Sequence, residues 1–492
     1  MSAAAALTES DFARFRQCPR RHWLHRQRGD AETPPPVDAL VTDVLSRAWP
    51  GAVRIPLDAP FDDRLAATAQ ALGAAAPRPI LDGCFRTDEG IEVRVDLLVP
   101  LEKGTTGRWR VVGIRHASSF GEHEIDLVAL AARAVRGAGV HVAGVDVARI
   151  DTDFIYPGFG WYGGLFAPIE VSGSVEERPL GQWLADLRTL PDGPEPATPP
   201  GAHCQRPLPC PYATHCAPPP EGEAAEADRL RLDLLGRDLA AELRAEGRGS
   251  LADVPPTRLP NDRLRRMQQA IVDHRVIVEP GAARELARYP GRRRWLRFET
   301  IGFAVPIWSG TRPYQVLPYQ WACDVERMDG SGVEHLGFLA DRSGDPRRAF
   351  AESLLTALGQ TGPVFAYNAG FERNRIVELA ALFDDLAPAL NAVAGRIVDL
   401  FHLLRAHAYH PAMDGSWSAR SVFGAFAPDV EADRFDAADG ATPLEAFALS
   451  LRDKLDPAEV QRLRAALDDY GRRQTLALRR LTEALGGESS GH

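Results

Sequence analysis

The sequence predicts an α/β protein with more than one domain. Its 492 residues are more than one ordinary hydrophobic core organises. In the first half, residues 91–99 and 109–116 carry the alternating, β-branched patterns of strands. From residue 293 onward the pattern runs strand, strand, helix, strand, helix, which is typical of an α/β domain.

Local signals predict further elements in the first half. The polar residues 8–11 precede Phe12 and Phe15, and a Thr/Ser/Asp entry ahead of apolar residues starts a helix. A second helix is predicted over residues 122–136. Residues 102–107 (EKGTTG) have the composition of a hairpin loop between the two predicted strands.

Proline-rich stretches predict breaks between elements. They lie at residues 190–200, 217–226 and 251–261. A helix is predicted over residues 223–246. Four leucines are predicted to form its apolar face: Leu230, Leu234, Leu235 and Leu239.

The net charge of −10 argues against a globally basic nucleic-acid-binding protein. Residues 258–297 depart from that average, with eleven Arg against four acidic residues. Such a stretch is ordinarily a solvated helix face. The alternative is a set of phosphate contacts, which the guanidinium makes with fork geometry.

The sequence predicts a cytoplasmic protein with no membrane partner. The first residues, MSAAAALTESDF, lack the charged start and long apolar run of a signal peptide. No stretch approaches the ~20 apolar residues of a membrane span. In the cytoplasm the six cysteines are expected to be metal ligands or core thiols rather than disulfides.

Three cysteines stand close together in CQRPLPCPYATHC: Cys204, Cys210 and Cys216. Their C-x5-C-x5-C spacing fits a zinc knuckle poorly, because zinc sites use shorter spacings. Thiolates converging from proline-rich loops are typical of metal sites. His203 and His215 are alternative ligands. Cys84 and Cys323 lie in strand-like runs and are expected to be core thiols.

Several motifs resemble those of the bacterial domain of unknown function 2779 family. They are LTESDFARFRQCPRRHWLHRQ, CQRPLPCPYATHC, FETIGFAVPIWSGTRPYQVLPYQW, YNAGFER, HPAMDGSWS and YGRRQTLAL, which together span nearly the whole chain. The resemblance implies a PD-(D/E)XK restriction-endonuclease-like domain over residues 1–220. It further implies a helical, Arg-rich connector over residues 221–290. An RNase H-like domain of the DEDD exonuclease type would follow over residues 291–484.

The resemblance also implies a 4Fe–4S cluster that closes the first domain. One early and three late cysteines would hold it: Cys18, Cys204, Cys210 and Cys216. Spacing alone does not justify pairing Cys18 with the distant three.

The first nuclease motif is altered. A PD-(D/E)XK site has an Asp on one strand and E-x-K on the next, and the two carboxylates hold Mg²⁺. Asp96 supplies the first acid, but Gly113 stands at the second and Arg115 at the lysine position. We therefore expect Asp96 to be an ion-pair partner of Arg115, with His116 facing the other way.

The second nuclease motif is altered as well. DEDD exonucleases hold two Mg²⁺ ions with four acids, the first two as D-x-E. Here that motif is Arg297-Phe298-Glu299, and period-two alternation places Arg297 and Glu299 on one face of a strand. The next motif supplies Asn368 and Glu372.

The last motif, Y-x-x-x-D, retains Tyr470 but has Gln474 in place of the acid. The site has thus lost two carboxylates and gained a guanidinium that can neutralise the remaining acids. Asp399 is a candidate replacement acid, and a metal held by Glu299, Glu372 and Asp399 stays open as an alternative.

Three functions follow as expectations. The first is a catalytically impaired nuclease relative that keeps an iron–sulfur cluster and binds nucleic acid or a partner protein. The second is a Mg²⁺- or Mn²⁺-dependent DNA or RNA exonuclease with a rearranged site. The third is a redox-responsive interaction module in which the cluster is the sensor. Damage at two independent sites favours the first.

Overall fold

The computed structural model describes residues 7–29, 39–101, 107–216, 232, 234–249, 251–341, 344–436, 441–452 and 455–487. The chain forms two compact units. Unit 1 comprises Met1–Pro219 and Phe303–Gln315, and unit 2 comprises Pro220–Gly302 and Val316–His492. We treat each unit by itself.

Unit 1 is built on a mixed sheet of six strands in the order β1-β2-β3-β4-β5-β6. The strands are β1 Val53–Arg54, β2 Ile80–Arg86, β3 Glu92–Pro100, β4 Arg108–Ile114, β5 His141–Ile150 and β6 Phe166–Glu170. Strands β2, β3 and β4 pair antiparallel, whereas β4 and β5 pair parallel. The predicted strands over 91–99 and 109–116 are thus neighbours, and most of the predicted hairpin loop lies outside the described residues.

Eight helices of unit 1 fall within its described residues. They are α1 Glu9–Gln17, α2 Pro19–Arg28, α3 Ala39–Ala48, α4 Phe61–Leu72, α5 Glu122–Gly137, α6 Ser172–Glu176, α7 Leu180–Thr189 and α8 Ala213–Cys216, with short 3-10 turns at Leu190–Asp192 and Ala202–Cys204. The helix predicted over residues 122–136 is α5, which connects β4 to β5 and packs on the sheet. The predicted start of α1 is confirmed, because Thr8 and Asp11 form a capping box.

Residues 303–315 belong to unit 1 although unit 2 flanks them on both sides in sequence; we call them the strap. Val305 is buried in the core of unit 1 and Thr311 is completely buried. The strap is hydrogen-bonded to the loop after β5: the Tyr156 N–H donates to the Thr311 carbonyl at 2.9 Å, and the Tyr162 hydroxyl donates to the Pro306 carbonyl at 3.1 Å. The strap therefore completes the core of unit 1.

Unit 2 contains a five-stranded sheet in the order β10-β9-β8-β11-β12. The strands are β8 Arg294–Ile301, β9 Leu317–Glu326, β10 Val333–Leu339, β11 Val364–Ala366 and β12 Ile397–Asp399, and a separate pair is formed by β7 Ile277–Val278 and β13 Ala408–Tyr409. Strands β8, β9 and β10 pair antiparallel. β11 pairs parallel with both β8 and β12.

Ten helices of unit 2 fall within its described residues. They are α9 Arg237–Ala245, α10 Asp262–Val272, α11 Pro280–Leu286, α12 Arg347–Leu358, α13 Gly370–Leu382, α14 Ala387–Gly395, α15 Leu400–His407, α16 Ala419–Phe426, α17 Pro443–Ser450 and α18 Pro457–Gly486, with 3-10 turns at Leu251–Asp253, Pro256–Arg258, Pro411–Met413 and Pro428–Val430. The 30-residue α18 packs on β8, β9 and β10. The structure confirms the prediction that the chain after residue 293 combines strands and helices in an α/β arrangement.

The stretch 221–290 differs from the separate connector that the resemblance implies. Leu243 of α9 and Leu264 and Met267 of α10 are buried in one core with Leu404 and Leu478. These residues therefore belong to unit 2 and contribute to its core.

Within the described residues, the helix predicted over residues 223–246 is shorter than expected. Helix α9 begins at Arg237, after Gly236 with φ +99°. Leu235 lies before it in the unit 2 core, and Leu234 and Leu239 pack against that core. Leu230 lies outside the described residues. No helix in the described part of the chain is long and apolar enough to cross a membrane.

Candidate functional site

The side chains of strand β8 alternate between the two faces of the sheet. Leu296 and Phe298 are buried in the core shared with α12 and α13. Arg297 and Glu299 alternate with them and lie on the opposite face, as period-two geometry requires. Both side chains are mostly covered, with 25% of Arg297 and 20% of Glu299 exposed.

Helix α13 adds a second carboxylate. Glu372 lies in its first turn and is completely buried. Arg297 Nε is 3.5 Å from Glu299 Oε1, and Arg297 Nη1 is 3.7 Å from Glu372 Oε1. We call Arg297, Glu299 and Glu372 the arginine site. One guanidinium thus lies between two acids. This is the arrangement expected from the presence of Arg297 at the first acidic position of the D-x-E motif.

Burial dominates the electrostatics of the arginine site. It raises the pKa of Glu372 from 4.5 to about 7, and the Arg297 charge opposes that rise. Burial likewise raises the pKa of Glu299, again against Arg297. For Arg297, burial lowers the pKa, but the two glutamates raise it more, so that its pKa lies above the ordinary value. The pKa of each group in the site therefore depends on the charges of the other two.

The contacts within the arginine site are ion pairs without ideal hydrogen bonds. Their distances exceed the roughly 2.7–2.9 Å of a charge-assisted bond. Arg297 Nε, Glu299 Oε1 and both carboxylate oxygens of Glu372 are buried with no hydrogen-bond partner among the described residues. The trio is therefore compact but has spare hydrogen-bonding capacity.

Tyr470, on α18, borders the same site. Burial raises its pKa to about 12, and the neighbouring Glu299 adds to the rise. Asp433 and Arg420, which form an ion pair at 3.0 Å, also influence the Tyr470 pKa. Sequence reasoning missed Asp433 and Arg420, and only the acidic cluster after Pro428 in the sequence hints at them.

Gln474 does not act as a substitute ligand in the arginine site. Its side chain is 2% exposed, and its amide donates to the Ala432 carbonyl at 2.7 Å. This hydrogen bond ties α18 to the segment between α16 and α17.

Asp399 has a structural role as a helix cap. It is the N-cap of α15, where its carboxylate accepts from the Phe401 N–H at 2.9 Å. His402 Nε2 lies 3.7 Å from the same carboxylate. Across all described residues, no group of three or more His, Cys, Asp and Glu side chains is arranged to hold a metal ion.

A cleft of about 310 Å³ opens beside the arginine site. Its lining is mainly aromatic and polar: Arg297, Tyr367, Asn368, Phe371, Phe401, Trp417, Ser418 and Ala419. Asn368 adopts φ +56°, a left-handed conformation that turns the chain from β11 into α13. Ser418 caps α16 at the wall of the cleft. The cleft therefore combines flat rings, a guanidinium and a helix N-terminus.

In unit 1, Asp96 pairs with arginines. Arg115 Nη1 lies 3.6 Å from Asp96 Oδ2, and Arg94 Nη2 lies 3.1 Å from Asp96 Oδ1. The Ile114 N–H also donates to Asp96 at 2.8 Å. The ion pair expected between Asp96 and Arg115 is present. Gly113 faces Val128 of α5, whose side chain is 3.3 Å from where a Cβ would stand.

Two further acids lie near Asp96 that the sequence reasoning missed. Burial raises the pKa of Glu9 to about 7, and Asp96 adds to that rise. Asp82 lies 3.3 Å from both Arg54 and Arg94 and has φ +59°. No local pattern signals them, because strand pairing and the packing of α1 bring them there.

The four cysteines of the implied cluster site lie in one region of unit 1, although they are not arranged to hold a metal ion. The Cys18, Cys204 and Cys210 thiols are close enough to Cys216 to raise its pKa, after burial, which is the largest cause. The Gln17 amide donates to the carbonyls of His203 and Leu208 at 2.8 and 2.7 Å, which joins α1 to the cysteine loop. Cys84 and Cys323 are completely buried and far from exposed chemistry, as core thiols are.

The Arg-rich stretch is largely occupied by protein contacts. Arg266 is 5% exposed and donates to Glu279 and to the Arg405 and Ala406 carbonyls. Ion pairs with carboxylates also hold four other arginines: Arg258, Arg265, Arg275 and Arg288. Arg266 is therefore a structural residue and not a free phosphate contact.

Five arginines of the stretch have no ion pair with a carboxylate among the described residues. Two of them, Arg292 and Arg294, donate to backbone carbonyls instead. That leaves Arg263, Arg284 and Arg293. Burial and the nearby Arg405 and Arg266 lower the pKa of Arg263, which marks a local excess of positive charge. These side chains are the ones available to an anionic partner.

Comparison with known proteins finds a family that is similar to part of unit 2 and the strap. Residues 294–418 match the family described as Domain of unknown function (DUF2779). The match contains Arg297, Glu299, Glu372 and Asp399, while Tyr470 lies beyond it. No curated protein and no solved structure matches the chain.

The raised pKa of Glu372 predicts a specific pH dependence. The folded protein holds the Glu372 proton more tightly than the unfolded chain, so this group's contribution to stability is lost as pH rises from 4.5 to about 7. Relative to Glu372→Gln, the wild type should therefore lose up to ~3 kcal/mol of unfolding free energy between about pH 4.5 and pH 7, at ~1.4 kcal/mol per pKa unit.

Urea unfolding of both proteins near each end of that range measures the effect. Glu378→Gln on the same helix is the control, because Glu378 is 56% exposed in its surface ion pair. An equal free-energy difference between wild type and Glu372→Gln at both pH values would contradict the raised pKa.

Proposed function

We propose that this chain is a nucleic-acid-binding protein on a nuclease-like scaffold, in which an arginine stands where a nuclease holds its metal ions. The observation that carries the proposal is the guanidinium of Arg297 at 3.5 Å from Glu299 and 3.7 Å from Glu372. A buried carboxylate pair needs a counter-charge. Here a side chain supplies it, and hydrolysis through two bridging metals is not expected.

The strand arrangement of unit 2 supports this reading. Three antiparallel strands followed by two parallel ones are the arrangement expected of an RNase H-like domain. Glu299 lies on the first of them, Glu372 after the fourth, and Tyr470 on the final helix. These are the positions at which the resemblance expects the exonuclease motifs.

Unit 1 supports a second inactive centre. Its mixed sheet, with α5 between the parallel strands β4 and β5, suits a PD-(D/E)XK-like domain. Asp96 is occupied by Arg94 and Arg115, and Gly113 has no ligand to offer. Arginine stays protonated and cannot serve as a base.

The aromatic cleft supports binding as the remaining activity. Its rings can stack on a base, and Arg297 and the N-terminus of α16 can contact a phosphate. Binding of this kind needs neither metal nor proton transfer. The unpaired Arg263, Arg284 and Arg293 add sequence-independent attraction to the phosphate backbone.

The cysteine set fits an iron–sulfur cluster. Four thiols from two distant parts of the chain lie in one region of unit 1, and thiolates are the ligands such clusters require. Cys18, Cys204, Cys210 and Cys216 would hold it. When bound, a cluster supplies a redox-active centre and a cross-link between the two ends of unit 1. Gln17 and Arg20 already fasten these ends, Arg20 through Glu195 at 2.6 Å.

The metal-replacement proposal is tested by thermal melts with and without Mn²⁺. Wild type should gain no stability, because Arg297 already neutralises the carboxylates. Arg297→Asp should melt lower without metal and recover with Mn²⁺, by ~3 kcal/mol when Mn²⁺ is at one hundred times its Kd. Arg297→Lys keeps the charge and should not respond. A gain of several degrees in the wild type would instead favour a rearranged metal site.

The cluster is tested by absorbance. Anaerobically purified protein should be brown, with a broad band near ~400 nm. Cys210→Ser should lose that band and the bound iron, because one of four ligands is gone. Cys323→Ala, which changes a buried thiol in unit 2, should keep both. Colourless protein with stoichiometric zinc would refute the iron–sulfur assignment.

Nucleic-acid binding is tested by its salt dependence. Changing Arg263, Arg284 and Arg293 together to Gln should lower the log–log slope of affinity against salt by ~0.9 per lost phosphate contact on duplex DNA. The control changes Arg258, Arg265 and Arg288 to Gln, which alters net charge equally but removes arginines already paired with acids. If both triple variants share the wild-type slope, the stretch is a solvated face.

A further inference from the structure

The loop between β5 and β6 presents large apolar side chains to solvent. We call residues 154–164 the aromatic loop. Phe159 is completely exposed, at 106%, while Trp161 and Ile155 are exposed by 58% and 51%. Single exposed apolar residues are ordinary, but several on one loop are a feature of interaction sites.

The aromatic loop is fixed from beneath. Phe154, Tyr156 and Tyr162 are buried, and the rings of Tyr156 and Tyr162 stack with centroids 4.7 Å apart. The strap adds two hydrogen bonds to this base, through the Thr311 and Pro306 carbonyls. The exposed rings are therefore presented by an anchored backbone.

Phe159 holds a conformation that folding alone does not explain. Its φ is +58°, in the left-handed region that bulky residues avoid at a cost of order 1 kcal/mol. Gly158 and Gly160 flank it with φ of +100° and +70°, and the Gly160 N–H donates to the Tyr156 hydroxyl at 2.8 Å. The strained conformation does not bury the Phe159 side chain. Its result is that both faces of the Phe159 ring are open.

The chemistry around the tip fits an aromatic, anionic partner. Residues 155–163 contain no charged side chain. Arg47 lies beside them, with Nη1 2.9 Å from where a Gly160 Cβ would stand. At the base of the loop, Arg312 donates to the Asp153 carbonyl at 2.9 Å and neutralises that residue's carboxylate at 3.7 Å. Free ring faces beside guanidinium groups match nucleobases and their phosphates.

A folded protein is a poorer match for this surface. Aromatic side chains bury about 150–250 Å² each, so the loop offers a few hundred Å². A stable protein interface needs roughly 800 Å² from each partner. Stacking of a nucleobase, by contrast, requires contact with only one aromatic ring.

We infer that the aromatic loop is a stacking site for unpaired bases, with Phe159 as the ring that receives the base, so that the preferred ligand is single-stranded nucleic acid. This inference rests on the proposed nucleic-acid binding and adds the strand form and the contact. Bases within a duplex are already stacked on both faces and do not offer one to Phe159.

The experiment compares Kd for a fluorescein-labelled oligo(dT) and for a duplex of equal length, using the full chain. Phe159→Ala should weaken oligo(dT) binding about 5- to 100-fold, the range measured for base–aromatic stacking. Duplex binding should change little. The salt slope should stay constant, since stacking releases no counterions. Phe159→Trp should keep the wild-type affinity for oligo(dT), whereas Phe159→Leu should weaken it as Phe159→Ala does.

Leu57→Ala is the matched control, because Leu57 is an apolar residue of the same unit with 47% exposure. Ultraviolet cross-linking to a bromouracil-containing strand should label the peptide that contains residues 155–163. If the wild type binds oligo(dT) and Phe159→Ala or Phe159→Leu binds equally well, the stacking inference fails while nucleic-acid binding stands. If the wild type binds neither oligo(dT) nor duplex, the proposed function itself fails.

Discussion

The site in unit 2 depends on one electrostatic constraint: two buried glutamates need a positive charge between them. Glu372 is completely buried and Glu299 is four-fifths covered, and both belong to elements that are fixed by the core. Removing two carboxylates from water costs several kcal/mol unless charge and hydrogen bonds compensate. Arg297 supplies that charge from the same strand as Glu299. Because the charge belongs to a side chain, the neutralisation is independent of ion supply.

A carboxylate is also neutralised by arginine in unit 1. Asp96 is held by Arg94 and Arg115. Basic residues of this chain are almost entirely arginine, and many of them donate to carbonyls or carboxylates. Guanidinium groups with several donors suit this work better than a lysine ammonium would. They make charge-rich segments rigid parts of the fold, which explains why counting arginines in the sequence overstated the surface available to a partner.

What the sequence predicts well is local. The capping box of α1, the helix α5 and the strands β3 and β4 follow from signals within a few residues. The face shared by Arg297 and Glu299 follows from the strand period. The approach of Glu372 required the resemblance, because helix α13 reaches β8 only through the tertiary fold. Asp433, Glu9 and the partners of Arg266 could not be predicted, since each depends on contacts between residues far apart in the chain.

The strap sets an order on how this protein can be made. A nascent chain leaves the ribosome from its N-terminus, and domains generally fold as they emerge. Unit 1 cannot follow that rule, because Val305 and Thr311 complete its core only after residues 220–302 of unit 2 have been synthesised. The core of unit 1 is therefore completed only after residues 303–315 have been synthesised. Cutting the gene at the apparent boundary near Pro219 would leave the first product without its last structural piece.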